Sequence, residues 1–229
     1  MKTKLNRPCL VLFSGGQDST TCLHWAMRAF SAVETIFFDY GQRHKDEMKA
    51  AQTIAWKLQV PMRVFRLDFF REMKGNALTD SSMTIGAAGP DGLPNTFVPG
   101  RNLLFLTQAG AYAYTRGICD LITGVCQTDY SGYPDCRADT VRALEKSLHL
   151  GLGWTERKRT FRIHTPLMFK TKAETVRLAQ RWGAMESLAH SLTCYEGLNP
   201  PCGKCPACLL RAKGFFEAGV ADPLLAVGK

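Results

Sequence analysis

Cys9-Leu-Val-Leu-Phe13, Ser14-Gly-Gly16 and Gln17-Asp-Ser-Thr-Thr-Cys-Leu23 follow one another without a break, and this stretch decides the fold. Five continuous apolar residues ended by glycines predict a short buried strand. Residues 18–30 put Cys22, Leu23, Ala26, Met27 and Phe30 on one face, which predicts a helix. Between the two, Gly15 and Gly16 permit a tight turn and a close approach of backbone to a ligand. Consecutive N–H groups at a helix start attract anions. Ser14, Ser19 and Thr20 add hydroxyls. Asp18 alone would repel phosphate, so its presence implies a Mg²⁺ between them. A capped helix start would explain the Ser and Asp, but it does not require two glycines after a buried strand.

The same alternation continues outward. Strands are expected at 9–13, 35–39, 62–67, 120–125 and 161–164. Helices are expected at 18–30, 44–58, 103–114, 138–150 and 172–182, the last capped by Thr171. This predicts an α/β, doubly wound, mostly parallel sheet with helices on both faces. Ligands then bind beyond the carboxyl ends of the strands, with strands one and four expected as neighbours at the switch point. Residues 79–100, rich in Gly, Pro, Ser and Asp, predict a long loop. From residue 191 onward Pro, Gly and Cys dominate. The expected division is a main domain over 1–190 and a small metal-binding appendage over 191–229.

With 229 residues, 45% hydrophobic and 21% charged, the composition is that of a globular chain and excludes extended disorder. No run of 18 apolar residues exists, which argues against a membrane helix. The apolar stretch after the basic N-terminus is too short for a signal-peptide core, so a cytoplasmic location is expected. The net charge of +9 points to anionic partners without choosing between nucleic acid and phosphorylated small molecules. The charge run Glu156–Arg159 reads as a solvated loop.

Four of the nine cysteines crowd into Cys194-x₇-Cys202-x₂-Cys205-x₂-Cys208. Cytoplasmic thiols stay reduced, so these four read as metal ligands. Four thiolates close a tetrahedral site, which predicts one structural zinc, with an iron–sulfur cluster as the rival. The remaining cysteines read as core residues. After the fourth strand, Asp129, Tyr130, Tyr133 and Asp135 lie within seven positions. Carboxylates accept paired hydrogen bonds from an amino-pyrimidinone edge and Tyr rings offer stacking faces, a combination that suits a guanine-like ligand. Ordinary turn formation is the plainer explanation of Asp129 and Pro134.

The loop matches neither G-x-x-x-x-G-K-[ST] nor G-x-G-x-x-G. Ser14-Gly-Gly-Gln-Asp-Ser19 resembles the pyrophosphate loop of the N-type ATP pyrophosphatase superfamily. Taken with Phe38-Asp-Tyr-Gly-Gln42, Val98-Pro-Gly-Arg-Asn102, Asp129-Tyr-Ser-Gly-Tyr-Pro-Asp-Cys-Arg137, Thr165-Pro-Leu167, Lys170-Thr-Lys172 and the cysteine cluster, the chain resembles the 7-cyano-7-deazaguanine synthases along nearly its whole length. The resemblance implies a sheet of the adenine nucleotide alpha hydrolase-like type and an ATP-dependent ligase of queuosine biosynthesis. Its substrates would be 7-carboxy-7-deazaguanine, ammonia and ATP with Mg²⁺. It also implies a structural zinc and a homodimer, and makes nucleic acid an unexpected partner. Phe13, Ser14, Gly15, Gly16, Gln17, Asp18, Ser19, Thr20, Thr21, Cys22 and Leu23 would hold ATP. Asp18, Lys170 and Arg101 would serve the chemistry. Asp129, Tyr130, Tyr133 and Asp135 would hold the deazaguanine. His44 is a candidate nucleotide contact, whereas His24 and His190 read as packed. A tRNA thiolase of the same superfamily is the alternative. A zinc-ribbon nucleic-acid binder would leave the pyrophosphate loop without a role.

Overall fold

The computed structural model describes residues 4–42, 45–73, 75–80, 82–86, 92–128 and 132–226. The order is β1 (Leu5–Leu12), α1 (Gln17–Ala29), β2 (Phe30–Asp39), α2 (Lys45–Lys57), β3 (Met62–Arg66), α3 (Phe69–Glu72), α4 (Arg101–Thr115) and β4 (Asp120–Ile122). Then come α5 (Ala138–Gly151), β5 (Arg162–His164), α6 (Lys172–Trp182), α7 (Met185–Leu188), α8 (Pro206–Ala218) and α9 (Pro223–Ala226). The five strands form one parallel sheet in the order β3-β2-β1-β4-β5. The expected doubly wound sheet is therefore present, and β1 and β4 are the neighbours at which the strand order reverses. Among the described residues no helix is long and apolar enough to cross a membrane.

Side chains alternate across a strand, so each strand feeds two cores. Leu10, Ile36, Phe38, Leu121 and Ile163 pack on one face against Leu106, Ala109 and Ala113 of α4 and Val141 and Leu148 of α5. Cys9, Val11, Phe37 and Ile122 pack on the other against Cys22, Leu23 and Ala26 of α1 and Ala51, Ile54 and Ala55 of α2. Both faces are covered, which is why the strand sequences read as continuous apolar runs.

Two strands begin earlier than their apolar runs. β1 starts at Leu5 and β2 at Phe30, paired with each other through a register irregularity between Leu5 and Pro8. Apart from Phe30, which is buried at the end of α1, these leading residues are exposed or half-buried and mix polar with apolar side chains, so they carry no apolar period. Pairing with each other makes them strand. Helix α6 begins as its cap predicts: Thr171 Oγ1 accepts from Glu174 N at 3.2 Å, and Glu174 Oε2 accepts from Thr171 N at 2.8 Å.

At the opposite end of the sheet from the strand carboxyl termini, Asp120 is buried between Arg7 and His164. Arg7 Nε stands 2.7 Å from one of its oxygens and His164 Nε2 2.7 Å from the other. Burial alone would raise its pKa, but the hydrogen bonds and charges of His164 and Arg7 outweigh this and hold the carboxyl below its usual range. A lowered folded-state pKa gives stability that is present above the unfolded value of about 3.9 and lost as pH falls through the folded value. Asp120→Asn is expected to flatten the acid limb of the stability curve below about pH 4, measured by urea melts from neutral to acid pH. An acid limb identical to the parent's would show that Asp120 carries none of it.

Candidate active site

β1 ends at Leu12, and the chain turns through Phe13 to Gly16 into α1. Gly15 has φ +76°, the left-handed region that costs other residues about 1–2 kcal/mol. A Cβ there would lie 2.7 Å from the backbone nitrogen of Ala51, so α2 also presses on the turn. On the far side the Gly15 carbonyl accepts from Leu192 N at 3.1 Å. The turn's hydroxyls are ordered among themselves. Ser14 Oγ and Ser19 Oγ stand 3.1 Å apart, Gly16 N donates to Ser14 Oγ at 3.3 Å, and Ser14 N donates to Ser19 Oγ at 3.2 Å. Backbone N–H groups and hydroxyls thus converge at the start of a thirteen-residue helix, the geometry of an anion site.

A cavity of about 300 Å³ opens over this turn, at the carboxyl ends of β1, β2 and β4. That size suits a small-molecule ligand. Phe13, Ser14, Gly16, Gln17, Asp18 and Ser19 line it. The remaining nucleotide candidates lie behind that wall. Cys22 and Leu23 belong to the core under α1, Thr21 Oγ1 donates to the Gln17 carbonyl at 2.9 Å, and Thr20 is fully buried. Gln17 is 1% exposed, and neither atom of its amide has a partner among the described residues. Two orphaned polar atoms beside a cavity imply a ligand that satisfies them.

Asp18 Oδ2 accepts from Lys172 Nζ at 2.7 Å, while its Oδ1 is buried with no hydrogen-bond partner among the described residues. Lys172 reaches this position along α8. A Cβ on Gly214 would lie 2.6 Å from Lys172 Cγ, so only glycine leaves room for that stem. Lys170 is placed differently. It is exposed, its Nζ lies 3.6 Å from Glu174, and it is absent from the cavity wall.

Arg101 opens α4 and lines the cavity, its Nη1 donating to Tyr40 Oη at 3.3 Å. Burial opposes its charge, but the phenols of Tyr40, Tyr133 and Tyr195 and the Asp135 carboxylate outweigh burial and hold the guanidinium's pKa above its usual value. Tyr133 lines the same cavity, with its hydroxyl 2.6 Å from Thr96 Oγ1. Asp135 is buried and accepts from Asn102 N at 2.9 Å, in the first turn of α4. Tyr133 and Cys136, on either side of it in sequence, face the cavity. Asp129, Tyr130 and His44 lie outside the described residues. His24 is packed as expected, its Nε2 2.9 Å from Ser187 Oγ.

The sequence pattern does not single out Glu47, Lys172 or Tyr195. Glu47 lies in the first turn of α2 and faces the cavity. Burial pushes its carboxyl up to about 7, against the pull of Arg101. Tyr195 reaches the cavity beside Tyr133 and Arg101, and its phenol is pushed up by burial. Its backbone N donates to Cys205 Sγ at 3.4 Å, so the cysteine cluster holds it. One signal was legible: Glu47 is an acidic residue on the apolar side of an amphipathic helix, three positions before Ala50 and four before Ala51.

The sulfurs of Cys194, Cys202, Cys205 and Cys208 lie within 4.8 Å of one another, as ligands of one metal ion must. Backbone N–H groups of Cys202 and Cys205 donate to the sulfurs of Cys194 and Cys202 at 3.5 and 3.3 Å. None of the four cysteines is among the residues that line the cavity. The segment after this cluster is tied back by Arg211 of α8. It is buried, paired with Asp222 at 2.6 Å, and donates to Ser191 Oγ at 2.8 Å, Thr193 Oγ1 at 3.0 Å and the Leu188 carbonyl at 3.1 Å. Leu192 and Thr193, held by this clamp, form part of the cavity wall.

Comparison with known proteins agrees with this geometry. The family model described as queuosine biosynthesis protein QueC matches residues 8–219. A protein of Chromobacterium violaceum named 7-cyano-7-deazaguanine synthase is 56% identical over 229 residues, spanning 98% of this chain and 96% of that protein. Proteins of the same name from Laribacter hongkongensis and Bacillus subtilis are 57% and 47% identical, spanning 94% and 91% of this chain and 93% of each of those proteins.

Two outcomes are expected. Gly→Ala inside a helix ordinarily stabilises by about 0.5–1 kcal/mol. Gly214→Ala should do the reverse, because its methyl displaces Lys172 from Asp18. Thermal melts and ATP titration would read a lower melting point and weaker nucleotide binding, and a stabilised variant that binds as the parent does would refute the packing argument. Cys202→Ser should lose bound metal and melt earlier, since a closed thiolate site supplies folding energy. A variant that holds no metal yet melts like the parent would show that the cluster does not stabilise the fold.

Proposed function

The chain belongs to the QueC family of queuosine biosynthesis proteins, and from that premise we propose that it is an ATP-dependent carbon–nitrogen ligase converting 7-carboxy-7-deazaguanine and ammonia into 7-cyano-7-deazaguanine. The observation that carries this reading is one cavity bounded by an anion-binding turn on one side and by Arg101 and Tyr133 on the other. A carboxylate is a poor electrophile because its leaving group would be oxide. Attack of its oxygen on the ATP α-phosphate forms an acyl-adenylate and releases pyrophosphate. Ammonia displaces AMP and gives the amide. Adenylation of the amide oxygen and loss of a second AMP then leave the nitrile.

No covalent nucleophile is needed from the protein, only alignment and neutralisation of charge on the phosphates. The N–H groups of the turn with the Ser14 and Ser19 hydroxyls suit the β- and γ-phosphates. Asp18 keeps one oxygen free of protein partners, which suits Mg²⁺, while Lys172 offsets its charge on the other side. Lys170 would have to turn from Glu174 to act on the nucleotide. Arg101 suits the substrate carboxylate, and Tyr133, with Asp129 and Tyr130, suits the deazaguanine ring. Asp135 would contribute by holding the start of α4 that carries Arg101. The four cysteines suit one structural zinc, whose contribution when bound is to fix the segment bearing Tyr195. ATP and Mg²⁺ as co-substrates, residues 1–190 and 191–229 as the two functional regions, a homodimer and a cytoplasmic site of action complete the reading. A tRNA thiolase is not favoured, since the matched relatives carry the synthase name over nearly their full length.

Incubation with ATP, Mg²⁺, ammonium and 7-carboxy-7-deazaguanine should yield the nitrile with two AMP and two pyrophosphate per product, followed by mass detection. Asp18→Asn should keep the fold and lose most of this turnover. Absence of nitrile from the parent under these conditions would reject the ligase reading.

A further inference from the structure

Helix α2 carries two acidic residues in its first turn, and they are used differently. Asp46 points outward and pairs with Lys49 at 2.8 Å. Glu47 turns into the cavity shared by the phosphate turn and Arg101. Both can serve the helix dipole, but Glu47 also lies one turn before Ala51, on the side of α2 that packs on the phosphate turn, where an apolar residue is the ordinary choice. A half-buried carboxylate kept on the wall of a cavity shared with an anion-binding turn marks a functional group.

We propose that Glu47 is the general base that receives ammonium in this cavity and takes its proton. The proposal rests on the ligase reading. Ammonium has no lone pair, so it must lose a proton before it can attack a carbon. Arg101, the permanent cation of the cavity, suits the substrate carboxylate. Glu47 and Arg101 line the same cavity and the Arg101 charge acts on the Glu47 carboxyl, so an ammonium held by Glu47 would share that space with a substrate carboxylate held by Arg101. Arg101 from α4 and Tyr40 at the end of β2 are the charged and titratable groups acting with Glu47. Burial holds the carboxyl near neutrality, where both of its forms are populated and the proton can be passed on between steps.

The steps balance. Ammonium gives one proton to the Glu47 carboxylate, and the freed electron pair forms the C–N bond. The C–O bond to AMP breaks, its electron pair leaves with AMP, and the surplus proton on nitrogen passes to solvent. After the amide oxygen is adenylated and one N–H proton is lost to solvent, the last N–H proton goes to the same carboxylate. The C–O bond then breaks and the C≡N bond is completed.

The full-length, metal-loaded protein and its Glu47→Gln and Glu47→Asp variants would be compared in two assays. One is exchange of labelled pyrophosphate into ATP that depends on 7-carboxy-7-deazaguanine and reports adenylation alone. The other is formation of amide and nitrile from ammonium. In Glu47→Gln the ratio of amide and nitrile formation to exchange should fall by about 10²–10⁴-fold, the usual worth of a general base. Glu47→Asp should recover part of it. Hydroxylamine, already unprotonated at neutral pH, should give hydroxamate from Glu47→Gln with a much smaller deficit than ammonium suffers. Equal losses in exchange and amination would assign Glu47 to adenylate binding and overturn the proposal. So would equal deficits with ammonium and hydroxylamine, or an unchanged ratio. If the parent itself shows no substrate-dependent exchange, the ligase reading fails first and this inference with it.

Discussion

Gly15 is held in the left-handed region with α2 pressed against it and the Leu192 N–H bonded to its carbonyl. Most of the cavity depends on that constraint. Ala51, which abuts the turn, lies one helical turn after Glu47, so packing of α2 on Gly15 also sets where Glu47 enters. Leu192 lies three residues before Tyr195, so the bond to Gly15 brings in the opposite wall. One residue without a Cβ thus gathers a phosphate turn, a buried carboxylate and a C-terminal wall around one space.

The charges in that space are kept there by pairing and not by solvent. A buried pair that loses one partner leaves an uncompensated charge and costs about 3–5 kcal/mol. Asp18 and Lys172 satisfy each other from α1 and α6, and α8 yields a side chain at Gly214 to let them meet. Arg101 is surrounded by phenol oxygens and Asp135. Glu47 is the less compensated member of the group, and its raised pKa is the physical trace of that. In the Arg7–Asp120–His164 cluster at the other end of the sheet the carboxylate has two hydrogen-bonding partners and the opposite shift.

The C-terminal segment acts on the site more than its composition suggests. Helix α8 packs on α6 through Val176, Ala179 and Phe215. Its Arg211 fixes residues 188–193, and the cysteine cluster fixes Tyr195. A metal held by the four cysteines would therefore bear on the cavity through the backbone placement of Tyr195.

The sequence by itself determined the alternation of strands and helices, the phosphate turn at residues 14–19, the Thr171 cap and the four-cysteine spacing. Each is a local property: an apolar run of fixed period, glycines between them, or ligands close along the chain. The tertiary structure decided what depends on residues distant in sequence. It alone extended β1 and β2 through residues of mixed polarity that pair with each other. It set Lys172 on Asp18 across 154 positions and left Lys170 at the surface beside Glu174. It directed Asp135 to the start of α4 and turned Glu47 and Tyr195 into the cavity, of which only Glu47 left a trace in the sequence, an acidic residue on the apolar side of α2. Those outcomes follow from which faces pack and which charges find partners, and such long-range contacts leave no period in the chain.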